Sequence, residues 1–363
     1  MSSKSVKVQL ILENGAVFYG NAFGYIKEAV GEVVFNTGVV GYQEILTDPT
    51  YAGKIVCMTY PLIGNYGINL EDMESEKPRL AGFIVRGKCD YPNNWRMEMD
   101  LDGYLKQNKI LGMEGIDTRA LTRILRDNGT MKGIITIRVD ALTPSQVSQK
   151  FSTYSSRNII EEVTTKEKYV IDGRGQHLAV IDVGIKNSIL EALKKRGCKL
   201  SVYPAFASAE EILESGADGI FISNGPGDPQ NIPSIIETVK ELIGKKPIVG
   251  VCTGHQIISI ALGCTVEKMT FGHHGGNHSV KYMDTGRCYA TSQNHEFVVT
   301  KCADDVEATW INVNDGSIEG IRHKILPMVG VQFHPASCPG PNDTDFIFDS
   351  FLKIVEEGRK KHA

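Results

Sequence analysis

An excess of charge of either sign is missing from this chain of 363 residues: 39 lysines and arginines stand against 43 aspartates and glutamates, for a net charge of −4. The two signs are interspersed, so the chain carries no footprint for nucleic acid or an anionic membrane surface. No apolar run reaches the length of a membrane span. The G-x-x-x-x-G-K-[ST] loop that cradles nucleotide phosphates is also absent. The eight cysteines, at positions 57, 89, 198, 252, 264, 288, 302 and 338, include no C-x-x-C pair and no zinc-type spacing. No secretory signal pattern opens the chain, so mostly free thiols in a reducing cytoplasm are expected.

What is present points to two domains, because 363 residues exceed one ordinary core. The first, 1–152, reads as β-rich. Val6 to Leu12 alternates, Glu13-Asn14-Gly15 turns and Ala16 to Tyr19 returns, the pattern of a hairpin. Gly115 to Arg126 has the cap, apolar spacing and terminal arginines of an amphipathic helix. A polar passage without strong periodicity, 153–175, is expected to be a linker. In the second domain, 176–363, strand and helix alternate: His177 to Val183, Ile185 to Arg196, Lys199 to Tyr203, a capping box at Ser208 to Glu211, Gly219 to Ser223 and Ser234 to Ile243. Alternation of this kind calls for an α/β fold with a doubly wound, mostly parallel sheet, whose site lies beyond the carboxyl ends of the strands.

One stretch organises that second half. The β-branched run from Pro247 to Val251 ends in Cys252, and Thr253-Gly254-His255-Gln256 opens a helical pattern. Gly250 and Gly254 flank the cysteine as G-x-C-x-G, the thiol counterpart of the nucleophile elbow. An elbow exposes its side chain at a helix N-terminus, where a thiolate is favoured. The alternative is a small buried cysteine, as free cysteines usually are. Asn224-Gly225-Pro226-Gly227-Asp228-Pro229 follows a strand and reads as a plain turn or as a backbone cradle for an oxyanion. His334 stands where the apolar strand from Met328 to Phe333 stops, a fitting place for a base serving a cysteine, and His295 competes for that role. His273, His274 and His278 cluster in one loop, but no carboxylate or thiol at ligand spacing joins them, so no metal is expected.

With Cys252, the Asn224 to Pro229 loop and His334 in hand, the C-terminal half resembles a class I glutamine amidotransferase. The chain from about Val8 to its last helix is similar to the carbamoyl-phosphate synthase small-subunit family, through Gly31 to Tyr51, Tyr60 to Gly67, Gly115 to Arg126 and Phe271 to His278. The resemblance implies that Cys252 attacks the side-chain amide of L-glutamine, that His334 shuttles the proton, and that a thioester is hydrolysed to glutamate. It implies substrate contacts from Thr50, Gly225, Gly227, Thr253, Gln256, Asn294, Glu296 and Phe297, and backbone oxyanion donors at Thr253 and in the Gly225 to Gly227 loop. Ammonia would pass to a large subunit that binds ATP, Mg and bicarbonate; no cofactor is expected in this chain.

The departures from that family are as informative as the matches. Members generally read H-P-E after the last strand, the glutamate orienting the histidine, whereas here the text is His334-Pro335-Ala336. Position 253 usually carries leucine and position 296 glycine. Glu296 would be strained in a glycine-only conformation, and its carboxylate would repel the substrate's own unless turned outward. Cys338 stands where serine is usual. A working glutaminase with weakened orientation of His334 is therefore the first expectation. The alternatives are an impaired homologue with a structural or regulatory role beside an ammonia-dependent synthase, and a free-standing cysteine amide hydrolase.

Overall fold

The computed structural model describes residues 6–138, 142–155, 158–336 and 338–362. The chain divides into two compact units, Met1–Asn158 and Ile159–Ala363. In the first, seven strands close into a barrel: β1 (Lys7–Leu12), β2 (Val17–Gly24), β3 (Ala29–Asn36), β4 (Ile55–Met58), β5 (Gly82–Val85), β6 (Leu111–Glu114) and β7 (Met131–Thr136). Their order is β1-β2-β6-β5-β4-β3-β7, and β7 returns to pair with β1. Closure leaves this sheet without an unpaired edge. The expected hairpin is β1–β2, turning at Gly15 with φ 87°. Helices α1 (Tyr42–Thr47), α2 (Leu101–Gln107), α3 (Thr118–Asn128) and α4 (Pro144–Ser155) belong to the same unit. Asp117 caps α3 by accepting the Ala120 N–H at 3.0 Å, which satisfies one of the donors a helix start leaves open.

The second unit is a ten-stranded sheet: β8 (Tyr169–Ile171), β9 (His177–Asp182), β10 (Lys199–Pro204), β11 (Gly219–Ile222), β12 (Ile248–Val251), β13 (Thr265–Tyr282), β14 (Cys288–Lys301), β15 (Val306–Asn312), β16 (Ile318–His323) and β17 (Met328–Val331). Strands run in the order β8-β10-β9-β11-β12-β17-β16-β14-β13-β15. The run β10-β9-β11-β12-β17 is parallel, as the strand–helix rhythm predicts. Beyond β17 the sheet continues antiparallel. The parallel strands are buried on both faces. Ala179, Ile181, Ile220, Ile222 and Ile248 belong to one apolar cluster, while Leu178, Val180, Phe221, Val249 and Val251 belong to another. Helices α8 (Pro233–Leu242) and α9 (Thr253–Ala261) cover the first face; α6 (Asn187–Lys195) and α10 (Ile347–His362) cover the second. This is the doubly wound arrangement. The capping box opens a short helix, α7 (Ala209–Leu213), with both reciprocal bonds formed.

The passage 153–175 is more than a linker. Residues 156 and 157 lie outside the described residues, but Ile159–Val163 forms a short helix, α5, and Tyr169–Ile171 is β8, antiparallel to β10 at the sheet's edge. Three residues of an exposed edge strand carry too little apolar alternation to be read from the sequence. Thr164 ties the same passage to the sheet by donating to the Asp182 carbonyl at 2.6 Å.

Phe221 is fully buried in β11 and meets Phe351 of α10 edge to face, ring centres 6.4 Å apart. Phe221→Ala should lower the unfolding free energy of this unit by about 3–5 kcal/mol, read from the midpoint of urea denaturation.

Candidate functional site

Cys252 sits between β12 and α9 with φ 55° and ψ −109°, and Lys109 is the only other non-glycine with positive φ among the described residues. Such a conformation is costly for an L-residue and persists where the surroundings impose it. Those surroundings are close-packed. A Cβ at position 254 would lie 2.1 Å from the Ile222 carbonyl oxygen, and one at position 250 would lie 2.7 Å from Ile258 and 2.8 Å from the Gly254 backbone. Only glycine lets α9 start this near β11. The Cys252 N–H donates to the Val331 carbonyl at 2.8 Å, so the elbow continues the β12–β17 ladder. Its side chain is buried, and its thiol donates to the Asn294 carbonyl at 3.6 Å.

The loop after β11 is fastened to the elbow from the other side. Thr253 donates its hydroxyl to the Gly225 carbonyl at 2.6 Å. Gly225 admits no side chain, since a Cβ there would lie 2.1 Å from the Val183 carbonyl oxygen, whereas Gly227 turns with φ 88° in open space. Asn224 is buried and donates to the Gly184 carbonyl at 2.9 Å, which fixes the loop's root. As the first residue of α9, Thr253 belongs to the turn whose N–H groups have no partner within the helix.

Strand β14 presents different chemistry on its two faces. The register His274↔Asn294 and His273↔His295 puts His274, Asn294 and Glu296 on one side and His273, Gln293 and His295 on the other. On the first side His274 Nδ1 lies 3.0 Å from Asn294 Oδ1, and His274 Nε2 lies 4.0 Å from Glu296 Oε1. On the second, His295 Nδ1 lies 2.8 Å from the Phe297 carbonyl and Nε2 lies 2.9 Å from Gln293 Oε1. Burial holds His295 well below its ordinary pKa. With both nitrogens engaged and the charged form disfavoured, His295 is a poor base.

His334 is buried, and its N–H donates to the Ser292 carbonyl at 2.9 Å. Ser292 and Asn294 are two positions apart on one strand, about 7 Å. The backbone of His334 and the sulfur of Cys252 are therefore moored at neighbouring carbonyls of β14. Gln256 donates to the Phe297 carbonyl at 2.8 Å and to Gln332 at 3.0 Å, closing the ring of contacts. Of the eight expected substrate contacts, Thr50 alone lies in the first unit, in the 3-10 turn Pro49–Tyr51, where Asp48 accepts its N–H at 2.8 Å.

The family model for the carbamoyl-phosphate synthase small chain, CPSase domain, matches residues 10–135, and that for glutamine amidotransferase class-I matches residues 179–354. The carbamoyl phosphate synthase small chain of Clostridium perfringens is 55% identical over 350 residues, covering 96% of this chain and 100% of that protein. The small chain of Bacillus caldolyticus is 49% identical over 361 residues, covering 98% of each. The pyrimidine-specific small chain of Bacillus subtilis is 47% identical over 357 residues, again 98% of each. The chain belongs to the carbamoyl-phosphate synthase small chain family.

Within that family frame, three departures find a structural account. Thr253, in place of leucine, supplies the hydroxyl that ties the elbow to Gly225. Glu296, in place of glycine, does not take a positive φ, so the feared strain is absent. Its carboxylate is not turned outward either: Glu296 is buried, with the His274 imidazole facing it. Ala336 is half-buried against the apolar cluster that contains Phe333 and supplies no carboxylate.

Sequence reading missed Glu319. It lies on β16, fully buried, and accepts from Gln293 Nε2 and Asn312 Nδ2, both at 2.9 Å, with His273 Nδ1 at 3.3 Å. Burial opposes its charge, but His273, His295 and Asn312 hold its pKa below the usual value. Burial likewise opposes charge on His273, where Glu319 and Asp315 prevail and raise the pKa. Donor atoms of His273, His295 and Glu319 lie within 4.8 Å of one another, a grouping that loop spacing around His273 does not announce. Each of the three is already occupied by hydrogen bonds within the protein.

Two outcomes follow from packing and burial at the elbow. Gly254→Ala should destabilise the second unit by about 1–3 kcal/mol through overpacking against Ile222, measured by urea denaturation. His255 is completely buried beside Gly330, and burial lowers its pKa to about 3. The unfolded chain then takes up this proton first, near pH 6.5, so stability falls as pH drops from 6.5 toward 3. Between pH 7 and pH 5 the loss assignable to His255 should be about 2 kcal/mol, and the acid limb of His255→Asn should be flatter by that amount.

Proposed function

We propose that this chain is the glutamine-hydrolysing subunit of a carbamoyl-phosphate synthase, with Cys252 as nucleophile and His334 as its proton acceptor and donor. The observation that carries the reading is the mooring of both residues to carbonyls two positions apart on β14, with Cys252 held on a strained elbow at a helix N-terminus. His334 takes the thiol proton, and the thiolate adds to the amide carbon of glutamine. The oxyanion forms where backbone N–H groups are pre-aimed: at Thr253 in the first turn of α9, and in the loop of Gly225 and Gly227. As the C–N bond breaks, His334 returns its proton to the leaving ammonia. Water then opens the thioester to glutamate by the same route reversed.

Gln256, Asn294, Glu296 and Phe297 are assigned to glutamine. The buried Glu296 would burden a site that binds an α-carboxylate, and His274 beside it offsets that charge when protonated. Ammonia passes to a large subunit, where bicarbonate, ATP and Mg belong; the absence of a P-loop from this chain fits that division. Among the described residues no helix is long and apolar enough to cross a membrane.

The test is glutamate release by this chain combined with its large partner. Glutamine should yield glutamate and support carbamoyl phosphate formation. Cys252→Ser should cut both by at least about 10³-fold while leaving synthesis from free ammonia intact. Ala336→Glu should raise the glutaminase kcat by about tenfold or more, below the ~10⁴ that serine enzymes lose without their acid. A wild-type complex that makes carbamoyl phosphate from ammonia but releases no glutamate from glutamine overturns the reading.

A further inference from the structure

Cys264 and Cys302 stand opposite each other where β13 begins and β14 ends. The ladder pairs Thr265 with Lys301, and that register continued one step outward sets Cys264 opposite Cys302. Directly opposed residues of antiparallel strands have Cα atoms about 4.5–5.5 Å apart, inside the 4.4–6.8 Å range that disulfides span. Both cysteines are free thiols. The Cys302 thiol hydrogen-bonds to the Cys264 sulfur, and the Ala303 N–H donates to the same sulfur at 3.4 Å. Two donors converge on one sulfur. Their preference for a thiolate acceptor is strong enough that the Cys264 pKa is lowered to about 7, the Cys302 hydrogen bond counting most, against the opposing effect of burial. Burial alone acts on Cys57, whose thiol is pushed up, and it dominates at Cys198, pushed up to about 11. Cys264 is therefore the reactive partner, and the half-exposed Cys302 lies beside it as a resolving thiol.

We propose that Cys264 and Cys302 form an oxidant-sensitive dithiol, a modification site at which a small hydroperoxide closes a disulfide between the end of the nucleophile's helix and the end of β14. The Cys264 thiolate attacks the peroxide, the O–O bond breaks, and Cys264 becomes a sulfenic acid while the leaving oxygen takes up the proton that the thiol lost. Cys302 then attacks the sulfenic sulfur, the S–O bond breaks, and hydroxide departs with the Cys302 proton as water. The two thiols lose two electrons in total, and the peroxide is reduced to water, or to an alcohol and water. The disulfide joins Cys264, three residues beyond α9, to Cys302, one residue beyond β14. Those are the two elements that hold Cys252 and Asn294.

The experiment uses the full chain carrying Cys252→Ser, so that the elbow thiol consumes no oxidant. After hydrogen peroxide, iodoacetamide and proteolysis, mass spectrometry should find the Cys264 and Cys302 peptides joined and lighter by two hydrogens, and dithiothreitol should separate them. Cys302→Ser in the same background should instead yield a dimedone-trapped sulfenic acid at Cys264. Independently, the alkylation rate of Cys264 should rise with pH around a midpoint near 7. Recovery of both cysteines as alkylated thiols after peroxide, a cross-link confined to other cysteines, or a Cys264 midpoint above 8.5 overturns the proposal.

Discussion

The site depends on one close contact, the approach of α9 to the carbonyl of Ile222. Because Gly254 has no side chain, the helix can begin against β11 with only van der Waals separation, and a methyl group there would overlap the carbonyl oxygen. That approach forces the residue between strand and helix into positive φ, and Cys252 carries the strain. Everything else at the elbow serves to hold the bend. The β12–β17 ladder fixes it from behind through Val331, and Thr253 fixes it in front through Gly225. The cysteine so placed is buried, and it occupies the strained turn between strand and helix that its flanking glycines announce.

Strand β14 does a second kind of work. Its carbonyls at Ser292, Asn294 and Phe297 accept from His334, Cys252 and Gln256, so the start of α9 and the stretch after β17 are both indexed to one strand. An error of one position in that register would exchange the faces of the strand and bring the His295 side in place of the Asn294 side. Such a slip is resisted by the buried network around Glu319, which locks Gln293 and His273 on the opposite face. A buried polar cluster on one face thus stabilises the register that places the residues of the other.

Much of this was legible in the letters. The hairpin at Gly15, the capping box at Ser208, the strand–helix alternation and the placement of Cys252 and His334 at strand ends all follow from local pattern, and the structure contains them. What stayed hidden was non-local. Barrel closure requires β7 to pair with β1 across more than a hundred residues, which no periodicity encodes. β8 is three residues long. Glu319 meets His273 only because β16 and β13 are brought together by the antiparallel extension, so a search for ligand spacing within one loop passes over it. Thr253 read as a departure from leucine, and only the position of the Gly225 carbonyl reveals its use.

The same reasoning bears on the missing carboxylate at position 336. An acid in a triad holds the imidazole in one orientation and stabilises its charged form. Here the first task is left to packing: His334 is buried, with its main chain anchored by its backbone N–H to the Ser292 carbonyl. The second task is smaller for a thiol than for a hydroxyl, because a thiolate is itself the counter-ion of the imidazolium it creates. Replacing the acid by a half-buried methyl group therefore costs the site charge stabilisation in the later steps, when the thiolate has been spent in the thioester and His334 must still draw a proton from water. Loss should fall more heavily on thioester hydrolysis than on its formation, and the acyl-enzyme is the species that would accumulate.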